Sequence, residues 1–186
     1  MALSSWIAGA YAATTYPDDF KTSVERILQS DLKSLITLKG ISLPWEVRKR
    51  TNIYIAAPDF DFVDTTLIEK LEENLKYHNF SPRRPIKEDG QMERNASKTR
   101  KQELFSRDMA LLDECQMLVA VLLYNDPGTL IKIGIASQRR IPTIAYDPYK
   151  LATNCMLTEL PDLVSSDLGE VISEVFTKSS QLSSNG

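Results

Sequence analysis

A chain of 186 residues with 42% apolar and 25% charged residues has the composition of a globular protein with one sizeable core. Its formal net charge of −3 excludes a broadly basic surface for nucleic acid, and no run of about 20 apolar residues predicts a membrane-spanning helix. One histidine, two cysteines without metal-ligand spacing and no positively charged signal-peptide region predict a cytoplasmic protein that holds no metal and no cofactor.

The first fifty residues, 1–50, are predicted to form an N-terminal helical extension. A helix is expected over residues 18–38, because apolar side chains recur there at helical spacing. These apolar residues are Val24, Ile27, Leu28, Leu32 and Leu35. We expect the helix to pack on the core or on a partner.

Residues 51–178 are predicted to form a second unit in which strands and helices alternate. The predicted strands cover 51–60, 117–123 and 141–147. The predicted helices cover 64–80, 101–116 and 130–140, with a last helix within 160–178. The polar segment 81–100 is predicted to be a long loop, which in a compact domain is often functional or mobile. The final residues, 179–186, are predicted to form a disordered tail.

This alternation predicts an α/β fold with a doubly wound, mostly parallel sheet of the flavodoxin or Rossmann type. Ligands of such sheets bind in the crevice beyond the carboxyl ends of the strands. The loops expected there contain several aspartates, namely Asp59, Asp61, Asp126 and Asp147. These are site candidates, although aspartate is also a common turn and helix-capping residue.

Three motifs in this order resemble the nucleoside 2-deoxyribosyltransferases and related nucleotide N-glycosidases. They are "IYIAAPDF", "RDMALLDECQMLVAVL" and "NDPGTLIKIGIASQRRIPTIAY", and the similarity runs from about residue 51 to 176. Members of the family carry a pattern similar to D-x-G-T-x-x-E-x-G-x-A in the third motif. The resemblance implies a nucleoside or nucleotide ligand and a glutamate that attacks the anomeric carbon of the sugar.

The resemblance also implies roles for individual residues of this chain. Tyr54 corresponds to a tyrosine that orients the nucleophile, and Phe60 to an aromatic wall of the base pocket. Asp108 corresponds to an aspartate that holds the sugar or nucleophile region, and Asp126 to one that handles the base and its protonation. Further substrate-binding positions are Gly128, Thr129, Asn154 and Met156.

The last two of those positions have a further implication. Asn154 and Met156 are similar to an N-x-M segment that a neighbouring subunit inserts into the active site. The resemblance therefore implies a homo-oligomer of at least two chains, or a hetero-oligomer with a catalytic relative.

The nucleophile position of the pattern is occupied by Lys132. A lysine cannot form the glycosyl ester, so the ordinary double displacement is expected to be impaired or lost. One interpretation is a pseudoenzyme that still binds nucleosides. Another is a working hydrolase or transferase that uses Asp126 or a partner's carboxylate, and a third is an amine nucleophile at Lys132 itself. If the alignment is wrong, Lys132 is an ordinary surface residue.

Other readings of the sequence stay open. An interaction module could keep the fold and regulate a catalytic relative, whereas a flavin-binding protein lacks support because no phosphate-binding loop follows the first strand. Residues 1–50 can be read as the remnant of a preceding copy, with Ile7 at the glutamate position. The basic residues Arg83, Arg84 and Arg94 are candidates to meet a 5′-phosphate.

Overall fold

The computed structural model describes residues 2–14, 16–30, 43–93 and 95–184. Within these ranges the helices are α1 (Ala2–Ala13), α2 (Pro17–Gln29), α3 (Trp45–Arg48), α4 (Thr66–Tyr77), α5 (Pro85–Asp89), α6 (Lys98–Glu114), α7 (Pro127–Gln138), α8 (Cys155–Glu159) and α9 (Leu168–Ser184). The strands are β1 (Asn52–Ala56), β2 (Ser81–Arg83), β3 (Met117–Val121), β4 (Thr143–Tyr146) and β5 (Leu163–Ser165).

The strands of the described ranges form one parallel sheet in the order β2-β1-β3-β4-β5. This order is that of the flavodoxin-like doubly wound folds, which confirms the predicted α/β class. The central strand β3 is apolar and buried along its whole length, because helices cover both faces of a parallel sheet. The order reverses between β1 and β3, so their carboxyl ends border a crevice.

Two apolar clusters fix the helices on opposite faces of the sheet. On one face, Leu71 of α4 and Val171 of α9 belong to the same buried cluster. On the other face, Leu112 of α6 and Ile133 of α7 belong to a second. No helix in the described part of the chain has the length and apolarity needed to cross a lipid bilayer.

Four short or terminal elements differ from the prediction. The segment 81–100, predicted as a loop, contains β2 and α5, and β5 precedes the last helix. Both edge strands have only three residues, too few to show a period-2 pattern. The last helix continues through Ser184, so the residues predicted as a disordered tail are helical up to that point.

The N-terminal helices pack against α4 and α9. Nε2 of His78, at the end of α4, lies 2.5 Å from the carbonyl oxygen of Ala13, and the Lys70 ammonium lies 2.8 Å from Oδ1 of Asp19. Near the start of α9, the Arg26 guanidinium lies 3.5 Å from Asp167. These contacts make α1 and α2 an additional layer outside α4 and α9.

The predicted helix at residues 18–38 is confirmed as far as α2 extends, and positions 32 and 35 lie outside the described residues. Ser23 and Ile27 form the buried face of α2, while Leu28 is 60% exposed. Leu28 therefore does not pack on the core of its own chain, since the residue next to Ile27 on a helix points about 100° away from it.

Candidate functional site

One cleft gathers five of the predicted site residues in a volume of about 280 Å³. Its lining includes Phe60, Asp108, Asp126, Gly128 and Lys132. Phe60 follows β1, Asp108 lies on α6, and the other three lie at the start of α7, which follows β3. The cleft therefore occupies the crevice beside the reversal in strand order, where this fold places its ligands.

Asp126 is held in place by the start of α7. It is the N-cap residue, and its Oδ2 accepts hydrogen bonds from the backbone N–H of Thr129 at 2.7 Å and from Thr129 Oγ1 at 2.8 Å. A Cβ at Gly128 would lie only 3.1 Å from the same oxygen. Thr129 is 2% exposed and does not line the cleft, so it supports Asp126 instead.

Lys132, Asp108 and Tyr54 form a cluster beside the cleft. Nζ of Lys132 lies 3.0 Å from Oδ2 of Asp108, and the Tyr54 hydroxyl donates a hydrogen bond to Oδ1 of the same carboxylate. The ammonium also lies 5.3 Å from the centre of the Tyr54 ring, within cation–π range. Side-chain exposures of 19% for Lys132 and 24% for Asp108 make this a partly desolvated ion pair.

The cluster determines what Tyr54 can do chemically. Tyr54 is fully buried, and burial, reinforced by the hydrogen bond to Asp108, raises the pKa of its hydroxyl far above the ordinary value. It therefore remains protonated and acts as a fixed donor to Asp108. Both oxygens of Asp108 are thus engaged within the protein, one by Tyr54 and the other by Lys132.

Sequence reasoning missed part of the cleft. Lys101, Leu104 and Phe105 line it together with Asp108, because these residues share one face of α6 at i, i+3, i+4 and i+7. That spacing was visible in the sequence. The segment 81–100 contributes Asp89 and further residues, and its prediction as a functional segment was the available signal.

Asn154 and Met156 lie elsewhere in the same chain. They line a separate cavity of about 500 Å³ together with residues of α7 and α8. Asn154 is the N-cap of α8, where its Oδ1 accepts a 2.8 Å hydrogen bond from the backbone N–H of Met156. The Met156 side chain is 59% exposed. Within one chain, these residues do not meet the cleft.

The arginines considered for phosphate binding are engaged in ion pairs. Arg84 is 4% exposed and is held between Asp59 and Glu72, its Nη1 lying 2.6 Å from the Glu72 carboxylate. Arg83 forms a bidentate pair with Glu88. Neither lines the cleft, and the charge of each is already matched by carboxylates. Position 94 lies outside the described residues.

The loop aspartates divide into site and structural residues. Asp59 pairs with Arg84, and buried Asp147 accepts 2.8 Å hydrogen bonds from the backbone N–H groups of Leu151 and Ala152. Asp147 thus has the structural role in a turn that aspartates often have, whereas Asp126 both caps a helix and lines the cleft. In the described ranges, no group of three or more His, Cys, Asp or Glu side chains is arranged to hold a metal ion.

The chain is similar to a known protein family and to solved structures. The family described as nucleoside 2-deoxyribosyltransferase matches residues 53–176. A 2-deoxyribosyltransferase structure from Bacillus psychrosaccharolyticus has 20% sequence identity and a TM-score of 0.58, covering 65% of this chain and 90% of that one. A conserved protein from Enterococcus faecalis V583 has 20% identity and a TM-score of 0.53, with coverages of 70% and 98%. No curated protein sequence matches the chain.

Proposed function

This chain belongs to the nucleoside 2-deoxyribosyltransferase family, and we propose on that premise that its cleft binds a deoxynucleoside or deoxynucleotide with impaired glycosyl transfer. The observation that carries the proposal is the position of Lys132 in the cleft, with Nζ 3.0 Å from Oδ2 of Asp108. An ion pair stands where the family pattern has a free carboxylate. The protein is then a binding protein built on an enzyme's pocket.

Electrostatics explains why transfer is impaired. Cleavage of a glycosidic bond develops positive charge on the sugar, and a carboxylate stabilises that charge. An ammonium about 4 Å away opposes it by about 4 kcal/mol at an effective dielectric constant of about 20. That amounts to roughly a thousandfold in rate, before partial compensation by Asp108 is counted. The amine, paired with Asp108, is also a poor nucleophile because a nucleophilic lysine must be unprotonated.

The remaining cleft residues suit a nucleoside. Phe60 lines the cleft and stacks on Phe62, with ring centroids 5.4 Å apart and planes 6° apart, so a base can extend this stack. Both hydrogen bonds from Thr129 use Oδ2 of Asp126, which directs Oδ1 to a ligand. In this proposal Asp126 contacts the base and Gly128 gives the ligand access to the start of α7.

The proposal is tested by incubating the purified protein with deoxynucleosides and deoxynucleoside 5′-monophosphates. Binding is measured by isothermal titration calorimetry and release of free base by liquid chromatography. We expect the parent protein to bind at least one ligand without releasing base, and Lys132→Glu to gain base release. Lys98→Glu, an exposed change of the same charge at the start of α6, is the matched control and should gain nothing.

Two results would contradict the proposal in different ways. Rapid base release by the parent protein would show that catalysis survives Lys132. Failure of every nucleoside and nucleotide to bind would overturn the assignment of the cleft itself. The Lys132→Glu substitution places a second carboxylate beside Asp108. Circular dichroism therefore verifies that this variant is folded before its activity is interpreted.

One observation favours a second candidate function, an active N-glycosidase or deoxyribosyltransferase. Asp126 lines the cleft with a firmly held carboxylate, so it can replace the missing nucleophile or base. In that case the parent protein would release free base and the Asp126→Asn variant would not. A parent without base release argues against this alternative.

Assembly is part of the proposal. Large apolar side chains are exposed on or next to α7 and α8, namely Tyr124, Ile131, Tyr149, Met156 and Leu160. We propose that this apolar surface is the contact between copies, or with a catalytic relative, through which Asn154 and Met156 reach the cleft of a neighbouring chain. If the protein is instead a regulatory module that binds no nucleoside, this surface is the part of the molecule that it would need. The cytoplasm is the proposed location.

A further inference from the structure

A further cavity lies on the opposite side of the sheet from the nucleoside cleft. It has a volume of about 360 Å³ and is enclosed by α1 and α2 on one side and by α4 and α9 on the other. Its walls are mainly apolar and include Trp6, Ala10, Ile172 and Phe176. It shares no lining residue with the cleft. The volume is within the range of small-molecule sites.

Two residues that line this cavity each have a buried side-chain oxygen without a hydrogen-bond partner among the described residues. Asn74 lines the cavity, is 2% exposed, and its Oδ1 is buried without a partner. Asp19 also lines it: Oδ1 pairs with the Lys70 ammonium at 2.8 Å, whereas Oδ2 is buried without a partner. An unsatisfied buried acceptor costs about 1–3 kcal/mol, so a ligand whose N–H group donates to either atom gains that free energy back.

The chemistry of these two atoms defines the ligand. Both are acceptors, and one belongs to a carboxylate, so the complementary group is a multiple N–H donor. A hydroxyl has one hydrogen to donate, whereas an amino or ammonium group has two or three. The Arg26 guanidinium at the edge of the cavity is 3.5 Å from Asp167 and 3.6 Å from Glu170, so its charge is already matched.

We propose that this cavity is a binding site for a small molecule with an apolar or aromatic body and an amino group. The body packs between the rings and aliphatic side chains of α1 and α9, and the amino group donates to Oδ1 of Asn74 and Oδ2 of Asp19. The site depends on the N-terminal helices as one wall, which gives α1 and α2 a role beyond covering the core.

The probes for the test are benzylamine and benzyl alcohol, which share a ring and differ in the polar group. Binding is measured by ligand-observed NMR and calorimetry on the full chain. We expect benzylamine to bind at least about fivefold more tightly than benzyl alcohol, the effect of about one hydrogen bond. Equal affinities would overturn recognition of the amino group, and no binding of benzylamine would overturn the site.

Two variants locate the binding. Asn74→Leu removes an acceptor and should weaken benzylamine binding by about fivefold or more. Gly9→Leu is a second variant, used in case Asn74→Leu does not fold. A Cβ at Gly9 meets no atom within 4 Å, so a leucine fits there, and because Gly9 lines the cavity the larger side chain should weaken benzylamine binding by occupying its space. Ala8→Leu, on the same helix but outside the lining, is the matched control and should bind normally.

The outcome is independent of the nucleoside cleft. Lys132→Glu should leave benzylamine affinity unchanged, because Lys132 lines only the other cavity. If Lys132→Glu weakens benzylamine binding, or if Gly9→Leu leaves it intact, the probe occupies another place and the proposed site is wrong.

Discussion

At the scale of single residues, Asp126 combines a structural and a chemical role. Its carboxylate caps α7 through Thr129 and also lines the cleft. The capping function needs only a short side chain with an acceptor oxygen, which asparagine also provides. The chemical function needs a charge or a protonatable oxygen, which asparagine lacks. The two roles can therefore be separated by substitution.

We predict that Asp126→Asn keeps the free energy of unfolding within about 0.5 kcal/mol of the parent, whereas Asp126→Ala lowers it by about 1–2 kcal/mol. Urea denaturation followed by circular dichroism measures both values. The nucleoside affinity of Asp126→Asn should fall in the same preparation if this residue contacts the base. A loss of stability in Asp126→Asn as large as in Asp126→Ala would show that the charge itself holds the helix.

Single residues also show which spatial relations a sequence can indicate and which it cannot. Tyr54, Asp108 and Lys132 converge because each occupies a predictable position on a strand or helix bordering the crevice. The fate of Arg84 was not predictable from local pattern, since its partners Asp59 and Glu72 lie 25 and 12 residues away in the chain. Charge pairing depends on three-dimensional proximity, which hydrophobic periodicity does not encode.

At the scale of elements, His78 joins the end of α4 to the end of α1. Its imidazole is 5% exposed, and Nε2–H donates to the carbonyl oxygen of Ala13. Burial lowers the pKa of His78, the hydrogen bond to Ala13 opposes this shift, and the nearby charge of Arg48 lowers the pKa further. Folding therefore favours the neutral imidazole.

This shift predicts a loss of stability in mild acid. Because the folded pKa lies below the unfolded value of about 6.5, the unfolded chain binds more protons as the pH falls through 6.5. The free energy of unfolding should therefore fall below that pH, by at most about 1.4 kcal/mol per pH unit. Urea denaturation at about every half pH unit between pH 5 and 8 measures how the free energy of unfolding changes with pH.

The matching control is His78→Gln, which keeps a donor for Ala13 but does not titrate. His78 is the only histidine in the sequence, so this variant should lose the slope in the window below pH 6.5. A slope that persists in His78→Gln would assign the effect to carboxylates and contradict the prediction.

The elements that escaped sequence reasoning share a physical cause. β2 and β5 have three residues each and lie at the edges of the sheet, where their side chains are mostly only half-buried, so they need no continuous apolar run. The central strands were recognisable because burial on both faces demands apolar residues throughout. Helix α5 has five residues, less than two turns, and so shows no 3.6-residue period.

At the scale of the whole molecule, the proposed assembly makes a further prediction. Met156→Lys places a charge on the exposed apolar surface near α8, where it would be desolvated by a neighbouring copy. We expect analytical ultracentrifugation to show an oligomer for the parent protein and a shift towards the monomer for Met156→Lys.

Leu28→Lys is the matched control, because Leu28 is 60% exposed on α2. It should leave the sedimentation of the oligomer unchanged. A parent protein that sediments as a monomer at all concentrations would contradict the prediction, and the role of Asn154 and Met156 in a neighbour's cleft would fall with it.

The short edge strands of the sheet also limit how copies of the chain can associate. Pro82 lies in edge strand β2 and has no N–H to offer a strand from another molecule, and Arg83 beside it carries charge. On the far margin, β5 is only three residues long. Pairing of edge strands from two molecules is therefore disfavoured. This lowers the tendency to form fibrils at high concentration, so chains are expected to associate through their helices instead.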